Sequence, residues 1–339
     1  CNSQMENKPM PPKSTWEWVE VYGAMHADPA LAHGTWEQAQ QAAEEALYAD
    51  GITVPYLEKW LKDTRPLAQT PAEKVILQGH SFGALEQMRR EAAGEDPLPT
   101  HLDWGETDEE VQDWVDLLKT GKMRCPADGN TVVPSWMVQK EWLALLEHSI
   151  EGHNPNANNW YALLLAGCAH IMSGAGDYER AEKELLRSNA LCPNPWALYA
   201  IGQMIQMTTF DESASIYILN AAKLFPTDRS LALITAKYLY HKELYEKLEQ
   251  FTAGVPDEIK QLPRIRFYHA FAAAELGDLA EAEALLADTS FAIPDTKEGE
   301  TVMLDLWYRV QEIKAERRGE TFDRSTAKPP YHVDFFMYG

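Results

Sequence analysis

The sequence predicts an all-α protein, an α-solenoid of stacked helical hairpins preceded by a helical N-terminal region. Three observations lead there. Apolar residues recur at helical spacing through most of the 339 residues, alternating strand patterns are almost missing, and the second half repeats itself with a period near 34. On these grounds the chain divides into a linker or tail at 1–14, a helical N-terminal region at 15–150, repeats at 151–299, and a capping helix with a C-terminal tail at 300–339.

The opening CNSQMENKPMPPKS is polar and proline-rich, as a linker is. Short amphipathic helices are expected next at WEWVEVYGAM, TWEQAQQAAEEAL, PYLEKWLK, PAEKVILQ, ALEQMRREAA, DEEVQDWVDLLK and WMVQKEWLALLEHSI. TVVPSW at 131–136 is the one plausible strand besides VILQ, and Pro134 argues against a central one.

Gly79-His80-Ser81-Phe82-Gly83 fits the G-x-S-x-G pattern of a serine hydrolase. That motif needs a strand entering the turn and a helix leaving it. Thr70-Pro71-Ala72-Glu73 instead looks like a capped helix start ahead of VILQ, Gly79 like the glycine closing that helix, and Ser81 like the N-cap of the next. The serine is therefore expected to cap a helix, with hydrolysis as the minor alternative, and no catalytic residue is assigned.

Beyond residue 155, Gly176-Asp177-Tyr178-Glu179-Arg180-Ala181 is echoed by Gly277-Asp278-Leu279-Ala280-Glu281-Ala282. Ala169, Gly202, Ala236 and Ala270 follow one another at intervals of 33, 34 and 34, and Pro193 and Pro226 close the first two units. A small residue at each helix crossing lets paired helices approach, while apolar faces stack on neighbouring pairs. Four units are read at 158–193, 194–226, 228–256 and 263–290, the third degenerate because Leu248 stands where alanine is expected. This pattern resembles the tetratricopeptide repeat, which implies a right-handed solenoid. A helix from Glu300 to Arg318, with Leu304, Trp307 and Val310 on one face, would cap the stack.

Several spaced segments carry a second resemblance: WEWVEVYGAM, GALEQMRREAAG, LPTHLDWG, PSWMVQKEWLALLE, IPDTKEGETVMLDLWYR and PPYHVDFFM. They are similar to the C-terminal part of bacterial multi-domain proteins that begin with a galactose-mutarotase-like β-sandwich domain of unknown function. The resemblance implies a link to carbohydrate metabolism, with any sugar-facing pocket chiefly on the sandwich. Cys1 would then mark a piece of a longer cytoplasmic protein; alternatively, Cys1 is the lipid-bearing residue of a mature lipoprotein.

Candidate binding residues are few. His101-Leu102-Asp103-Trp104 and His332-Val333-Asp334-Phe335 echo one another, each two positions after a proline. His and Asp two apart project to one side of an extended chain and can hold a polar ligand or metal, or each segment can dock its aromatic while Asp bonds backbone. Glu298 and Glu300 can form an acid/base pair, or sit in the first turn of the capping helix. No cofactor motif is present, and the cysteines show no metal or redox spacing.

Lys and Arg number 30 against 52 Asp and Glu, a net charge of -22, which disfavours nucleic acid and anionic membranes as partners. No apolar run is long enough to span a bilayer. The function expected is a non-catalytic module offering its concave surface to a protein or peptide, including the sandwich domain of the resembled family. The alternative is an accessory region that completes a sugar site on that domain.

Overall fold

The computed structural model describes residues 8–172, 176–209, 212–297 and 299–334. The described residues form α-helices, short 3-10 turns and connecting loops, with no β-strand. The chain resolves into two compact units, Cys1–Glu106 and Thr107–Gly339. Cys1, and with it the lipid-anchor reading, lies outside the described residues.

In the N-terminal unit four helices form: α1 (Pro29–Ala32), α2 (Trp36–Ala49), α3 (Val54–Thr64) and α4 (Phe82–Ala93). Thr35 and Gln38 close a reciprocal capping box on α2, and the Thr53 hydroxyl caps α3. Helix α4 ends at Gly94, whose φ of 66° is the left-handed conformation a terminating glycine adopts at no steric cost.

Two expected helices are absent. Residues 16–25 run without helix: Trp16, Trp18, Val19, Val21 and Tyr22 are aromatic or β-branched, which lowers helix propensity, and Trp18 and Tyr22, an i, i+4 pair, remain 69% and 87% exposed. Residues 71–78 also stay irregular. Eight residues between Pro71 and Gly79 are too few to nucleate a helix without packing, and Ile76 and Leu77 are 91% and 89% exposed. Gly79 therefore closes no helix. The 131–136 stretch forms no strand either, as Pro134 suggested.

The C-terminal unit begins with α5 (Gln112–Thr120) and α6 (Lys140–Ile150). Trp114 and Trp142 meet edge to face at 5.9 Å, both buried. The loop after α5 is stitched to the next helix, α7 (Trp160–Met172), by asparagines. Asn156 accepts from the Met123 amide and donates to Gly121 O, while Asn159 donates to Arg124 O and accepts from the amides of Tyr161 and Ala162, capping α7.

The helical pairs then follow close to the expected bounds: α7 with α8 (Tyr178–Leu191), α9 (Pro195–Thr208) with α10 (Ala214–Leu224), and α11 (Arg229–His241) with α12 (Tyr245–Gly254). A single turn, α13 (Asp257–Lys260), precedes the fourth pair, α14 (Pro263–Glu275) and α15 (Ala280–Ala287). Each pair packs on its neighbour, and α12 packs extensively on α14. Ala181, Ala214 and Ala282 are buried at the second-helix position, and so is Leu248 in the degenerate third unit.

The tight crossings explain the small residues. A Cβ on Gly202 would stand 2.6 Å from Ile218 Cγ1 and 3.1 Å from Ala214 O. In the first pair the matching place belongs to Gly167, where a Cβ would meet Leu185 Cγ at 2.6 Å and Ala181 O at 3.1 Å. Ala169, expected at that crossing, is buried two residues further on.

Helix α16 (Val302–Arg317) lies against α14 and α15 and buries Met303, Leu306, Val310 and Ile313. With Phe267, Tyr268 and Phe271 of α14 they belong to one apolar cluster running from α11 to Val333.

Candidate functional site

The two His-x-Asp segments fall in different units, and each makes local structure. In the first, the Trp104 indole N–H donates to Pro99 O at 3.1 Å, and the ring covers Gly83 of α4 so closely that a Cβ there would lie 2.3 Å from Trp104 Cε3. Asp103 accepts from the Gly105 amide at 2.9 Å and fixes the turn, and His101 stands beside it half-buried. In the second, Nε2 of His332 donates to Leu286 O at 2.9 Å and pins the C-terminal 3-10 turn onto the end of α15. Asp334 follows half-buried, and Phe335 lies outside the described residues.

Glu300 is held by Arg264, whose Nη1 and Nη2 donate to its two oxygens at 2.6 and 3.3 Å, and by the Lys297 amide at 3.0 Å. Those bonds, the arginine's foremost, hold its carboxyl below the usual range, so it is an ionised structural partner. Glu298 lies outside the described residues. Among the described residues no three His, Cys, Asp or Glu side chains converge to hold a metal ion.

A titratable cluster that sequence reading passed over lies between α6, α7 and α8. Nε2 of His170 stands 3.3 Å from Glu147 Oε1 and 3.4 Å from Glu184 Oε2. Arg180 spans the same carboxylates, with Nη1 2.7 Å from Glu147 Oε1 and Nε 3.1 Å from Glu184 Oε1. Burial pushes the Glu184 carboxyl up to about 7 against the pull of Arg180. It also holds the His170 imidazole below its ordinary value, with Arg180 reinforcing the shift and Glu147 opposing it. Glu184 Oε2 is sealed from solvent, so the cluster's chemistry is turned into the fold. Glu184, three residues past Ala181, reads in sequence like any polar helix position.

The N-terminal unit shows a different feature. Helices α1, α2 and α3 bury no residue at all. Trp16, Trp18, Trp36 and Trp60 are 45%, 69%, 74% and 49% exposed, joined by Val54, Tyr56 and Leu67. A shallow hollow is lined by Trp16, Trp18, Leu61 and Ala68, with the Arg65 guanidinium held by two bonds to Glu17 at its rim. Soluble chains seldom leave so much large apolar surface uncovered without a use for it.

No protein-family model, curated protein or solved structure matches this chain. Among the described residues no helix is long and apolar enough to cross a membrane.

Proposed function

We propose that this chain is a non-catalytic helical-repeat module that binds another protein, with the paired helices of 158–290 as tetratricopeptide-type hairpins winding right-handed. The observation that carries the reading is the exposed tryptophan-bearing surface of residues 16–67, within which α2 and α3 are well capped yet fully bury no residue. A helix of eleven to fourteen residues gains little stability from propensity alone; α2 and α3 only half-bury one face, at Ala39, Ala42, Ala43 and Ala46 and at Leu57 and Leu61, so a partner that covers the tryptophans adds to their stability. Aromatic anchors of this kind carry a large share of interface energy.

The occupant we assign is a β-sandwich domain of the bacterial family that the spaced motifs resemble, in the cytoplasm and in carbohydrate metabolism. Isothermal titration of the full chain against that domain tests it. Binding is expected, weakened at least tenfold when Trp18, Trp36 and Trp60 are together replaced by serine. No heat of binding, or an affinity indifferent to the triple change, overturns the reading.

A further inference from the structure

A second candidate site belongs to the C-terminal unit. A cleft of about 540 Å³ opens between the end of α12, α13, α14 and α15. That size is within the roughly 300–1,000 Å³ usual for small-molecule sites. Its floor is apolar, from Ile265, Ala270 and Leu285, and its polar groups are Lys260, Gln261, Arg266, His269 and Glu281.

Two permanent positive charges facing one cleft are notable in a chain of net charge -22. Neither is tightly engaged. Lys260 Nζ lies 3.6 Å from Asp257, whose side chain is 97% exposed, and a surface pair of that kind is weak. The Arg266 guanidinium lies over the Phe291 ring at 5.1 Å; its field reaches Asp288, but among the described residues no carboxylate comes within 4 Å of it.

The third wall is a histidine held on both sides. Nδ1 of His269 is 2.7 Å from the Thr252 hydroxyl, which itself lies 2.8 Å from Leu248 O and 3.1 Å from Glu249 O. Carbonyls only accept, so the hydroxyl that donates to one of them has its lone pairs left for the Nδ1 proton. Nε2 stands 3.3 Å from Glu281 Oε2, so the ring lies between Thr252 and Glu281. Thr252 is itself buried and bonded within α12, so it positions the histidine and offers no exposed nucleophile.

We propose that this cleft binds a small-molecule phosphate monoester. A monoester carries close to two negative charges near neutral pH and gains from both cations, while Glu281, a carboxylate of the lining, stands on the His269 side of the cleft. Its oxygens suit donors arriving from different elements: the ammonium of α13, the forked guanidinium of α14, and the Gln261 amide. A carboxylate would match one charge only. The remaining volume, over Ile265 and Leu285, takes the organic group.

Isothermal titration of the full chain with phenyl phosphate, inorganic phosphate and acetate tests the assignment. One-site binding of phenyl phosphate is expected, weaker for inorganic phosphate and undetectable for acetate. R266Q, at an exposed position, and K260Q, at a half-buried one, should each weaken phenyl phosphate at least tenfold. K183Q, at another lysine of the same unit, should change nothing. No saturable binding, acetate binding as well as phenyl phosphate, or an affinity unmoved by both R266Q and K260Q overturns the proposal.

Discussion

At Gly202 and Gly167 the side chain is missing because a neighbouring helix occupies the place. Replacing Gly202 by alanine removes backbone entropy, worth up to about 1 kcal/mol in a helix, but sets a Cβ 2.6 Å from Ile218 Cγ1, an atom near the backbone of a fully buried side chain. The clash wins, and G202A is expected to lower unfolding free energy by roughly 1–3 kcal/mol. Gly254, at the last position of α12 with nothing within 4 Å of a built Cβ, is the matched control. G254A should be neutral or slightly stabilising by the same urea titration, and equal losses at both sites would refute the crossing argument. Glu184 has an electrostatic counterpart. Its folded carboxyl is raised to about 7 from 4.5 unfolded, so its contribution to stability is fully present below 4.5 and is lost as pH rises through 7. His170, with a lowered value, contributes in the opposite sense and loses stability as pH falls below 6.5. E184Q keeps the shape and removes the titration, so its stability relative to the native chain should rise by roughly 2 kcal/mol between pH 5 and pH 8. A difference that does not move with pH would show that the carboxyl ionises freely in the fold.

Among elements, the helix starts separate according to what the capping side chain also holds together. Asp228 caps α11 through one bond to the Leu231 amide at 2.6 Å. Asn194 is fully buried, accepts from the Ala197 amide at 2.8 Å to cap α9, and donates to Cys192 O at 2.9 Å and Ser188 Oγ at 3.3 Å, so it also ties the first pair to the second. D228A is expected to cost about 1 kcal/mol and N194A roughly 2–3 kcal/mol, because the latter strands buried polar groups as well. Equal costs in thermal unfolding would mean that the linkage adds nothing. The same contrast explains what could be read in advance. The four pairs were legible because Ala181, Ala214, Ala282 and Gly202 fall at a fixed period, and α16 because Leu304, Trp307 and Val310 share one helical face. The single turn of α13 carries no repeat signal, and Gly167 was obscured because Ala169, two residues on, keeps the numerical interval better. PAEKVILQ misled because its caps favour a helix locally, and WEWVEVYGAM because Trp18 with Tyr22 and Val21 with Met25 keep helical spacing, while nothing in a single sequence reports that no neighbour will cover Ile76 or Trp18. The candidate residues fared similarly. Trp104, Asp103 and His332 were visible as a pattern, but their backbone bonds are with residues two to forty-six positions away. The His170–Glu184 contact joins two helices whose facing register the sequence does not state.

For the molecule as a whole, burial and local helix quality are unevenly distributed, and that sets a gradient of stability. Helix α14 buries Phe267, Tyr268, Ala270, Phe271 and Ala272 among α11, α12, α15 and α16, so its amides open only when several neighbours come away. Helices α2 and α3 have the better caps, yet caps contribute on the order of 1 kcal/mol each, and no residue of either helix is buried. Their opening is a local event governed by the helix–coil balance of segments of fourteen and eleven residues. Native-state hydrogen exchange of the isolated chain should therefore show α14 protected at least on the order of a thousandfold more than α2 and α3. The cause is testable in the same experiment. If the exposed tryptophan surface is the docking face, a bound sandwich domain must slow exchange in α2 and α3 and leave α14 nearly unchanged, because binding energy stabilises only what the partner covers. Protection in α2 equal to that of α14 without any partner would mean that its apolar face is already covered, and the surface would lose its claim to be a binding site.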